Sequence, residues 1–288
     1  DVTIGKRFLF CLDAKTGKQH WQHDFDFTKY KKNRQNSYAS ATPAVDADHV
    51  YVIWQSQEES TLTACDHDGK TVWNYDLGAF KSGHGSATSP IVYRDRVIVC
   101  NDHDGDSFLV AVDRRTGKEI WKRNILKDAN APNLQWAVSA SPLILDNLVF
   151  SVPGGEQASV LAYDRYTGKI VKKLGKASAG YSSPIVATLL ETPQLLVFDA
   201  AGLSSYQPKS GHLLWHYPWE TTQNINVAQP LVVDDEHLFI SSGYGVGCAL
   251  IRLTNKQTEG LEENEATESS YEPTLVWKNR RLRLKFSS

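Results

Sequence analysis

The chain has 288 residues, of which 41% are hydrophobic and 22% are charged, and its formal net charge is −2. This near-neutral balance excludes an electrostatic grip on nucleic acid or on an anionic membrane surface. No apolar run reaches the roughly 18 residues that would span a bilayer. The opening residues, DVTIGKRFLF, lack the regions of a signal peptide. Because the sequence contains no Met, we expect a mature product or a piece of a longer chain.

One phrase recurs along the whole sequence. It reads FCLDAKTGKQHW at 10–21, LTACDHDGKTVW at 62–73, LVAVDRRTGKEIW at 109–121, VLAYDRYTGKIV at 160–171 and LSSYQPKSGHLLW at 203–215. The same position is held in turn by Asp13, Asp66, Asp113, Asp164 and Gln207, at intervals of 43 to 53 residues. Self-similarity at this period is typical of propellers and solenoids.

Between the copies lies a second signal, a proline that opens an apolar run, as in SATP at 40–43, ATSP at 87–90, SASP at 139–142, YSSP at 181–184 and VAQP at 227–230. Proline is tolerated at the first position of a strand. The period 88–125 reads as four strands, TSPIVY, RVIVCN, SFLVAVD and KEIWKRNI, joined by short polar turns. No segment reads as a helix of useful length. The pattern predicts an all-β fold, a β-propeller of four-stranded antiparallel blades.

The repeated turn explains why the phrase recurs. An Asp before the turn accepts backbone N–H bonds, and the Gly supplies a positive φ. A Trp four residues after the Gly offers a flat surface for docking on the neighbouring blade. In the fourth copy Val171 is read in place of this Trp, and we expect that junction to be weaker. The predicted docking residues are Asp13, Gly17, Trp21, Asp66, Gly69, Trp73, Asp113, Gly117, Trp121, Asp164, Gly168, Gly211 and Trp215.

The pattern A-x-D-x-x-T-G-K-x-x-W, met in full at 111–121 and nearly so at 11–21, resembles the tryptophan-docking motif of pyrroloquinoline-quinone (PQQ) type propellers. The resemblance covers the whole chain. It implies one PQQ-like domain over 1–288, in which about six blades are visible. Because the chain begins and ends within a blade, we expect it to be part of a ring of seven or eight blades. That family includes quinoprotein alcohol dehydrogenases, BamB-like outer-membrane assembly lipoproteins and repeat proteins without a quinone.

The expected organisation follows the repeats. A partial blade occupies 1–25, and full blades occupy 39–78, 86–126, 138–176, 181–219 and 226–278. The last of these has an acidic insertion at 254–274 in place of its TGK turn, which we expect to be a surface loop. Residues 280–288 are expected to form the first strand of a further or closing blade.

Catalytic and metal-binding motifs of the dehydrogenases are not recognisable. The four cysteines, Cys11, Cys65, Cys100 and Cys248, include no adjacent pair and no CxxC, so buried free thiols are expected, with a contact between Cys11 and Cys65 as the alternative. The segment NDHDGDS at 101–107 superficially resembles a calcium loop but fits a plain Asp-Gly hairpin better. We therefore predict no catalytic residue, no metal site and no cofactor, with PQQ and calcium as the alternative.

Ligand-binding candidates come from geometry alone. Residues directly before each first strand are expected to ring one mouth of the central channel, where aromatic, amide and imidazole groups suit small ligands or peptides. The alternative is that they pack the loop layer. These residues are Tyr38, His84 with Ser86, Gln135 with Trp136, Tyr181, and Asn224 with Asn226.

Three functions follow from these observations. The favoured one is a non-catalytic, BamB-like propeller of the bacterial envelope that binds a protein or a small ligand. The alternatives are a PQQ- and calcium-dependent alcohol or sugar dehydrogenase, and a sensor propeller of a larger multidomain protein. Periplasmic or envelope localisation is implied by the resemblance alone, as is a lipoprotein anchor outside this sequence.

Overall fold

The computed structural model describes residues 3–34, 37–56, 59–84, 88–256 and 271–282. The chain divides into two compact units. The first comprises residues 1–124, 133–141 and 166–168, and the second comprises residues 125–132, 142–165 and 169–288. Regular structure is almost entirely antiparallel strand, which confirms the all-β class and the four-stranded blades of the propeller fold.

The first unit contains three sheets whose strands follow chain order. The first sheet has two strands, β1 (Lys6–Leu12) and β2 (Gln19–Asp26). The second contains β3 (Ala44–Val45), β4 (Val50–Gln55), β5 (Ser60–Cys65) and β6 (Thr71–Gly78). The third contains β7 (Ile91–Tyr93), β8 (Arg96–Asp102), β9 (Ser107–Asp113) and β10 (Glu119–Asn124).

The second unit also contains three sheets, each of four strands in chain order. A short helix, α1 (Ile125–Ala129), precedes them. The sheets are formed by β11 (Leu143–Leu145), β12 (Leu148–Ser151), β13 (Val160–Asp164) and β14 (Ile170–Leu174); by β15 (Ile185–Leu189), β16 (Thr192–Phe198), β17 (Gly202–Tyr206) and β18 (Leu213–Pro218); and by β19 (Leu231–Val232), β20 (His237–Ser242), β21 (Gly247–Asn255) and β22 (Tyr271–Asn279). A 3₁₀ turn, Thr222–Asn224, stands before β19.

The prolines act as predicted. Each first strand begins directly after its proline, at Ala44, Ile91, Leu143, Ile185 and Leu231. The first strands are short, with two to five residues, because the missing proline N–H and the irregular segment before it cannot extend the ladder.

The cores lie between neighbouring sheets and draw mainly on their second and third strands. Every residue of β8 is buried, whereas the fourth strand β6 alternates between buried and exposed positions. One cluster of the first unit joins Tyr51, Leu62, Val97 and Val110. In the second unit, a cluster joins Phe198 to Ile240 and its neighbours. Central strands buried on both faces therefore carry continuous apolar runs.

Part of the predicted organisation lies outside the described residues. This applies to 257–270 within the predicted acidic insertion, and to 283–288 of the predicted closing strand. Among the helices that the structure describes, none is long and apolar enough to cross a membrane.

Candidate functional site

The repeated turns between third and fourth strands are held by the Asp that opens each phrase. In the first copy, the backbone N–H and the hydroxyl of Thr16 both donate to Asp13 Oδ1, at 2.7 Å. Asp113 receives the same bonds from Thr116, at 2.8 Å. The hydrogen bonds from Thr16 lower the pKa of Asp13. At Asp113, burial acts in the opposite direction, but the bonds from Thr116 and Arg115 leave its pKa lowered.

Each docking tryptophan of the first unit covers the glycine of the following turn. An ideal Cβ on Gly117 would lie 2.7 Å from the Trp73 ring, and one on Gly69 would lie 2.8 Å from Trp21. Gly168 stands in the same relation to Trp121. The indole N–H of Trp73 also donates to Arg114 O, at 3.0 Å. Only a glycine leaves room for the ring, and only a glycine readily adopts the positive φ of these turns.

Strand register corrects the prediction at Val171. In every sheet the pairing of the third and fourth strands skips one residue next to the docking position. In the fourth sheet the skipped residue is Val171, and Lys172 faces Ala162 where Trp121 faces Ala111 in the third. Lys172 thus holds the docking position, four residues after Gly168 as each docking Trp lies four residues after its Gly, and the prediction for Val171 was wrong by one residue.

The Lys172 junction replaces the aromatic contact with two others. The Lys172 ammonium donates to Ser210 O at 3.4 Å, in place of the indole N–H. An ideal Cβ on Gly211 would lie 2.5 Å from Leu174 Cδ2, so a leucine covers the glycine here. The aliphatic stem of a lysine can pack on such a surface while its ammonium reaches a carbonyl.

Register also identifies a docking position that sequence reasoning missed. Trp277 faces Leu250 beside the register shift of the last sheet, as Trp215 faces Ser205 one sheet earlier. Trp277 is 43% exposed, whereas Trp215 is 1% exposed and donates to Gln194 Oε1 at 2.7 Å. Trp277 could not be recognised from the sequence as a docking residue, because the insertion replaces the TGK turn before it.

The NDHDGDS segment forms a hairpin between β8 and β9. Asp102 is buried, and its carboxyl accepts a hydrogen bond from the Ser107 hydroxyl. Burial raises the pKa of Asp102 well above its usual range, which favours the protonated form. Calcium needs several anionic or carbonyl oxygens around it. Within the described ranges no three His, Cys, Asp or Glu side chains group as metal ligands, so the residues of this hairpin do not fit a calcium site.

The four cysteines are free thiols in the structure. Cys65, Cys100 and Cys248 are buried, and burial raises the pKa of each of these thiols. Cys11 is half-buried. The predicted buried thiols are therefore present at three of the four positions, and the alternative, a contact between Cys11 and Cys65, stays a prediction.

The predicted ligand-binding residues of the first unit fall into two groups. His84 and Trp136 meet edge to face, with ring centroids 6.3 Å apart. The His84 N–H donates to Ser82 Oγ at 3.1 Å. Gln135 is exposed beside Trp136 in the turn before Ala137. Ser86 lies outside the described residues. The structure thus brings an imidazole, an indole and an exposed amide to one end of the sheet β7–β10.

Tyr38 lies apart from that pair, in an aromatic cluster. Its hydroxyl donates to Tyr30 O at 2.6 Å. Its ring meets those of Phe27 and Tyr30 edge to face, with centroid separations of 4.9 and 5.0 Å. Tyr38 also lines a cavity of about 220 Å³ between β1 and β4. The cavity could not be foreseen from the sequence, since its walls come from four separate segments.

The predicted residues of the second unit serve mainly as scaffold. Asn226 is fully buried, and its side-chain amide donates to Asp199 O at 2.8 Å and to Trp219 O at 3.0 Å. Its side-chain carbonyl accepts the Ser242 hydroxyl at 2.7 Å. Tyr181 is buried, and its backbone N–H donates to Asn226 O. Asn224 is exposed in the 3₁₀ turn with a φ of 60°. The alternative interpretation, packing of the loop layer, describes Asn226.

Comparison with known proteins agrees with this architecture. Quinoprotein alcohol dehydrogenase PedH of Pseudomonas putida is 30% identical over 159 residues, which are 52% of this chain and 25% of that protein. Outer membrane protein assembly factor BamB of Yersinia pestis is 23% identical over 219 residues, 73% of this chain and 52% of that protein. The chain thus spans between a quarter and about half of these relatives.

Solved structures show the same fold at lower identity. BamB from Moraxella catarrhalis superposes with a TM-score of 0.60 at 17% identity, covering 98% of this chain and 70% of that one. The profile of the family described as outer membrane protein assembly factor BamB matches residues 2–190 and 133–281. Together these matches cover nearly the whole sequence. The chain belongs to this BamB family of PQQ-type propellers, whose relatives include quinoprotein alcohol dehydrogenases.

Proposed function

We propose that the chain is a non-catalytic propeller that binds a protein or a small ligand in the bacterial cell envelope. The observation that carries this proposal is the Tyr38 cavity, which lies at a sheet end free of the repeated docking turns. The His84–Trp136 pair adds half-buried aromatic surface elsewhere in the same unit. Family membership supports the envelope location, since BamB is an outer membrane assembly factor. Concave, largely apolar surfaces with a few polar groups are typical binding sites.

A quinoprotein dehydrogenase is the second candidate, favoured by the 30% identity with PedH. PQQ would supply a two-electron acceptor for alcohol oxidation. The described residues offer no matching calcium ligand set at the one hairpin whose sequence suggested it. We therefore derive no catalytic step for this chain.

Titration of PQQ into the protein with calcium present separates the two functions. The readouts are the absorbance of bound quinone and dye-linked oxidation of a primary alcohol. We expect neither stoichiometric binding at micromolar quinone nor turnover. Stoichiometric binding with turnover would overturn the non-catalytic proposal, whatever the protein binds elsewhere on its surface.

A further inference from the structure

The Tyr38 cavity forms where the second sheet loses its edge strand. β3 has two residues and pairs with Val50 and Tyr51 only, so β4 continues past it to Gln55 without a partner on that side. The irregular segment 38–43 and strand β1 wall off the space that remains. An engineered apolar cavity of about 150 Å³ holds benzene, and this cavity of about 220 Å³ therefore accommodates one substituted aromatic ring. Its lining residues are Phe8, Leu9, Tyr30, Tyr38, Ala39, Ser40, Ala41, Pro43, Val52, Ile53, Trp54 and Gln55.

The walls are aromatic and the rim is open to solvent. Trp54 packs on Phe25 with ring centroids 4.7 Å apart, and Leu9 and Val52 are buried beneath it. Ser40 and Pro43 at the rim are exposed. Apolar surface inside a cavity with an exposed rim favours entry of an aromatic side chain, because the ring leaves water without reorganising the walls.

Two buried N–H groups beside the cavity lack acceptors within the described residues. They are Trp54 Nε1 and Arg7 Nε. The Arg7 guanidinium stacks on the Trp54 ring, with its carbon 5.2 Å from the ring centroid, and it pairs with Glu59. Both unsatisfied groups are donors, and leaving a buried donor unpaired is costly. Both donors are enclosed by protein atoms, so the acidic groups of a ligand are expected on the outer face of the cavity rather than on these two N–H groups.

Positive charge is concentrated beside the rim. The segment TKYKKNR at 28–34 places Lys29, Lys31, Lys32 and Arg34 within six residues, in a chain whose overall net charge is −2. The Lys32 ammonium lies 4.9 Å from the centroid of the Tyr38 ring. Because Tyr30 is buried and the Asn33 N–H donates to Gly83 O at 2.8 Å, this basic loop is anchored at its middle and near its end.

Carboxylates of the neighbouring strands do not cancel this charge. Asp24 and Asp26 share Lys6, at 3.0 and 2.8 Å, and Glu59 pairs with Arg7, so these groups together leave one negative charge against the four positive charges of the loop. The basic loop thus presents net positive potential to an approaching ligand, which steers an acidic partner toward the cavity.

We propose that this site docks an acidic peptide segment of a partner protein, with one aromatic side chain seated in the Tyr38 cavity and flanking carboxylates on the basic loop. The proposal rests on the binding role proposed above. A chain segment fits better than a small molecule because the cavity holds one ring, while four cationic side chains lie along the loop outside it.

Fluorescence anisotropy with labelled seven-residue peptides tests the proposal. The probe carries a central phenylalanine among glutamates; one control replaces the phenylalanine by alanine and another replaces the glutamates by glutamines. We expect each control to bind at least tenfold more weakly in 50 mM salt, with the probe losing affinity as salt is raised. Equal affinity for the alanine peptide would overturn the aromatic anchor. Full competition by benzoate at the peptide's own affinity would assign the cavity to a small aromatic carboxylate and overturn peptide docking.

Protein variants separate the local site from net charge. The double variant Lys29→Glu/Lys31→Glu should weaken the probe at least tenfold, and Trp54→Phe, which keeps a ring but changes the shape of the cavity wall, should weaken it about threefold. Lys118→Glu is the matched control, because this exposed lysine lies in a docking turn, and it should change affinity less than twofold. If Lys118→Glu lowered the affinity for the peptide as much as one of the two substitutions in the double variant does, the effect would come from net charge alone and the site would be overturned.

Failure of this site and failure of the proposed function are distinguishable. If the protein binds none of the peptides and shows no PQQ-dependent turnover, the docking site is refuted and the non-catalytic proposal stands. A chain that oxidises alcohols with bound quinone loses the non-catalytic role, whatever the peptides do.

Discussion

Replacing one docking tryptophan measures how much a sheet junction contributes to stability. Trp73 is 8% exposed, covers Gly117 at van der Waals contact and donates its indole N–H to Arg114 O at 3.0 Å. Truncation of a buried Trp to Ala costs about 3–5 kcal/mol, since it removes apolar burial and leaves a cavity. The change Trp73→Ala should therefore lower the midpoint of thermal unfolding by roughly 10 °C.

Trp277→Ala is the matched control. It removes the same side chain from the equivalent register position, but Trp277 is 43% exposed and its ring contacts Phe239 at a centroid distance of 6.1 Å. We expect a cost of about 1 kcal/mol or less, as for most substitutions near the surface. A third variant, Trp73→Phe, keeps a ring and removes the hydrogen bond, which should cost about 1 kcal/mol for the bond and somewhat more for the lost ring area.

Urea unfolding followed by far-UV circular dichroism gives the free energy of unfolding of each variant. Tryptophan fluorescence is unsuitable, because the substitutions remove the probe. Equal costs for Trp73→Ala and Trp277→Ala would refute the reasoning, because the repeated register position rather than the covered glycine would then determine the energy. A negligible cost for Trp73→Ala would refute the docking role of the repeated phrase altogether.

Three further predictions follow from the same structure. Gly117→Ala should lower the free energy of unfolding by about 2–4 kcal/mol, because the new Cβ meets both a positive φ and the Trp73 ring. Gly17→Ala is the control: Gly17 has the same φ of +69° but no described atom within 4 Å of an ideal Cβ, so the change should cost about 1 kcal/mol. Equal costs in urea unfolding would contradict the steric contribution of the ring. Burial raises the pKa of Asp199 to about 6, so the folded state holds this proton more tightly than the unfolded one and stability should fall as pH rises from about 4 to about 6. Asp199→Asn should reduce that slope, to which the buried carboxyl of Asp102 with its raised pKa also contributes, and should stabilise the protein by about 2–3 kcal/mol at pH 7; an unchanged slope in unfolding measured from pH 4 to 8 would exclude Asp199 as one of its sources. Iodoacetamide at pH 8 should alkylate half-buried Cys11 before Cys65 and Cys100, as peptide mass mapping would show; prior labelling of Cys100 would contradict its burial.

The fold could be predicted because its determinants are local and repeated. An Asp that caps a turn, a Gly with positive φ and a proline that opens a strand each act within a few residues. Five imperfect copies of this pattern agree with one another, so a departure in one copy, such as Gln207 in place of Asp, does not obscure the period. Gln207 even reproduces the turn, because its Oε1 accepts the Ser210 N–H at 2.7 Å.

Details that depend on register could not be predicted in the same way. The docking position of the fourth copy is an exception, because the spacing of four residues from Gly168 already selects Lys172 rather than Val171. Trp277 lacks a TGK turn before it, so its equivalence to Trp215 emerges only from the pairing of β21 with β22. A one-residue slip moves every side chain of a strand to the other face, so the error of one residue at Val171 assigned the junction to a side chain on the opposite face from Lys172.

The candidate site shows the same limit more strongly. Tyr38 was predicted from its place before a first strand, but the residues that make its cavity useful, Phe8, Tyr30 and Trp54, come from other segments. Asn226 occupied the corresponding place in another sheet and is buried instead, fixed by Asp199, Trp219 and Ser242. Equivalent positions in a repeat thus serve different roles, because each depends on neighbours that the repeat does not specify.

This division follows from the topology of an antiparallel sheet. The turn Asp113–Lys118 joins β9 to β10 at one end of its sheet, while the start of β7 and the hairpin between β8 and β9 lie at the other end. Docking constrains the first end in sheet after sheet, so its residues repeat. The second end carries different polar groups in each sheet, such as Gln55 and Asn101. Residues that break the repeat at this second end, rather than those that define it, are therefore where a specific partner would be recognised.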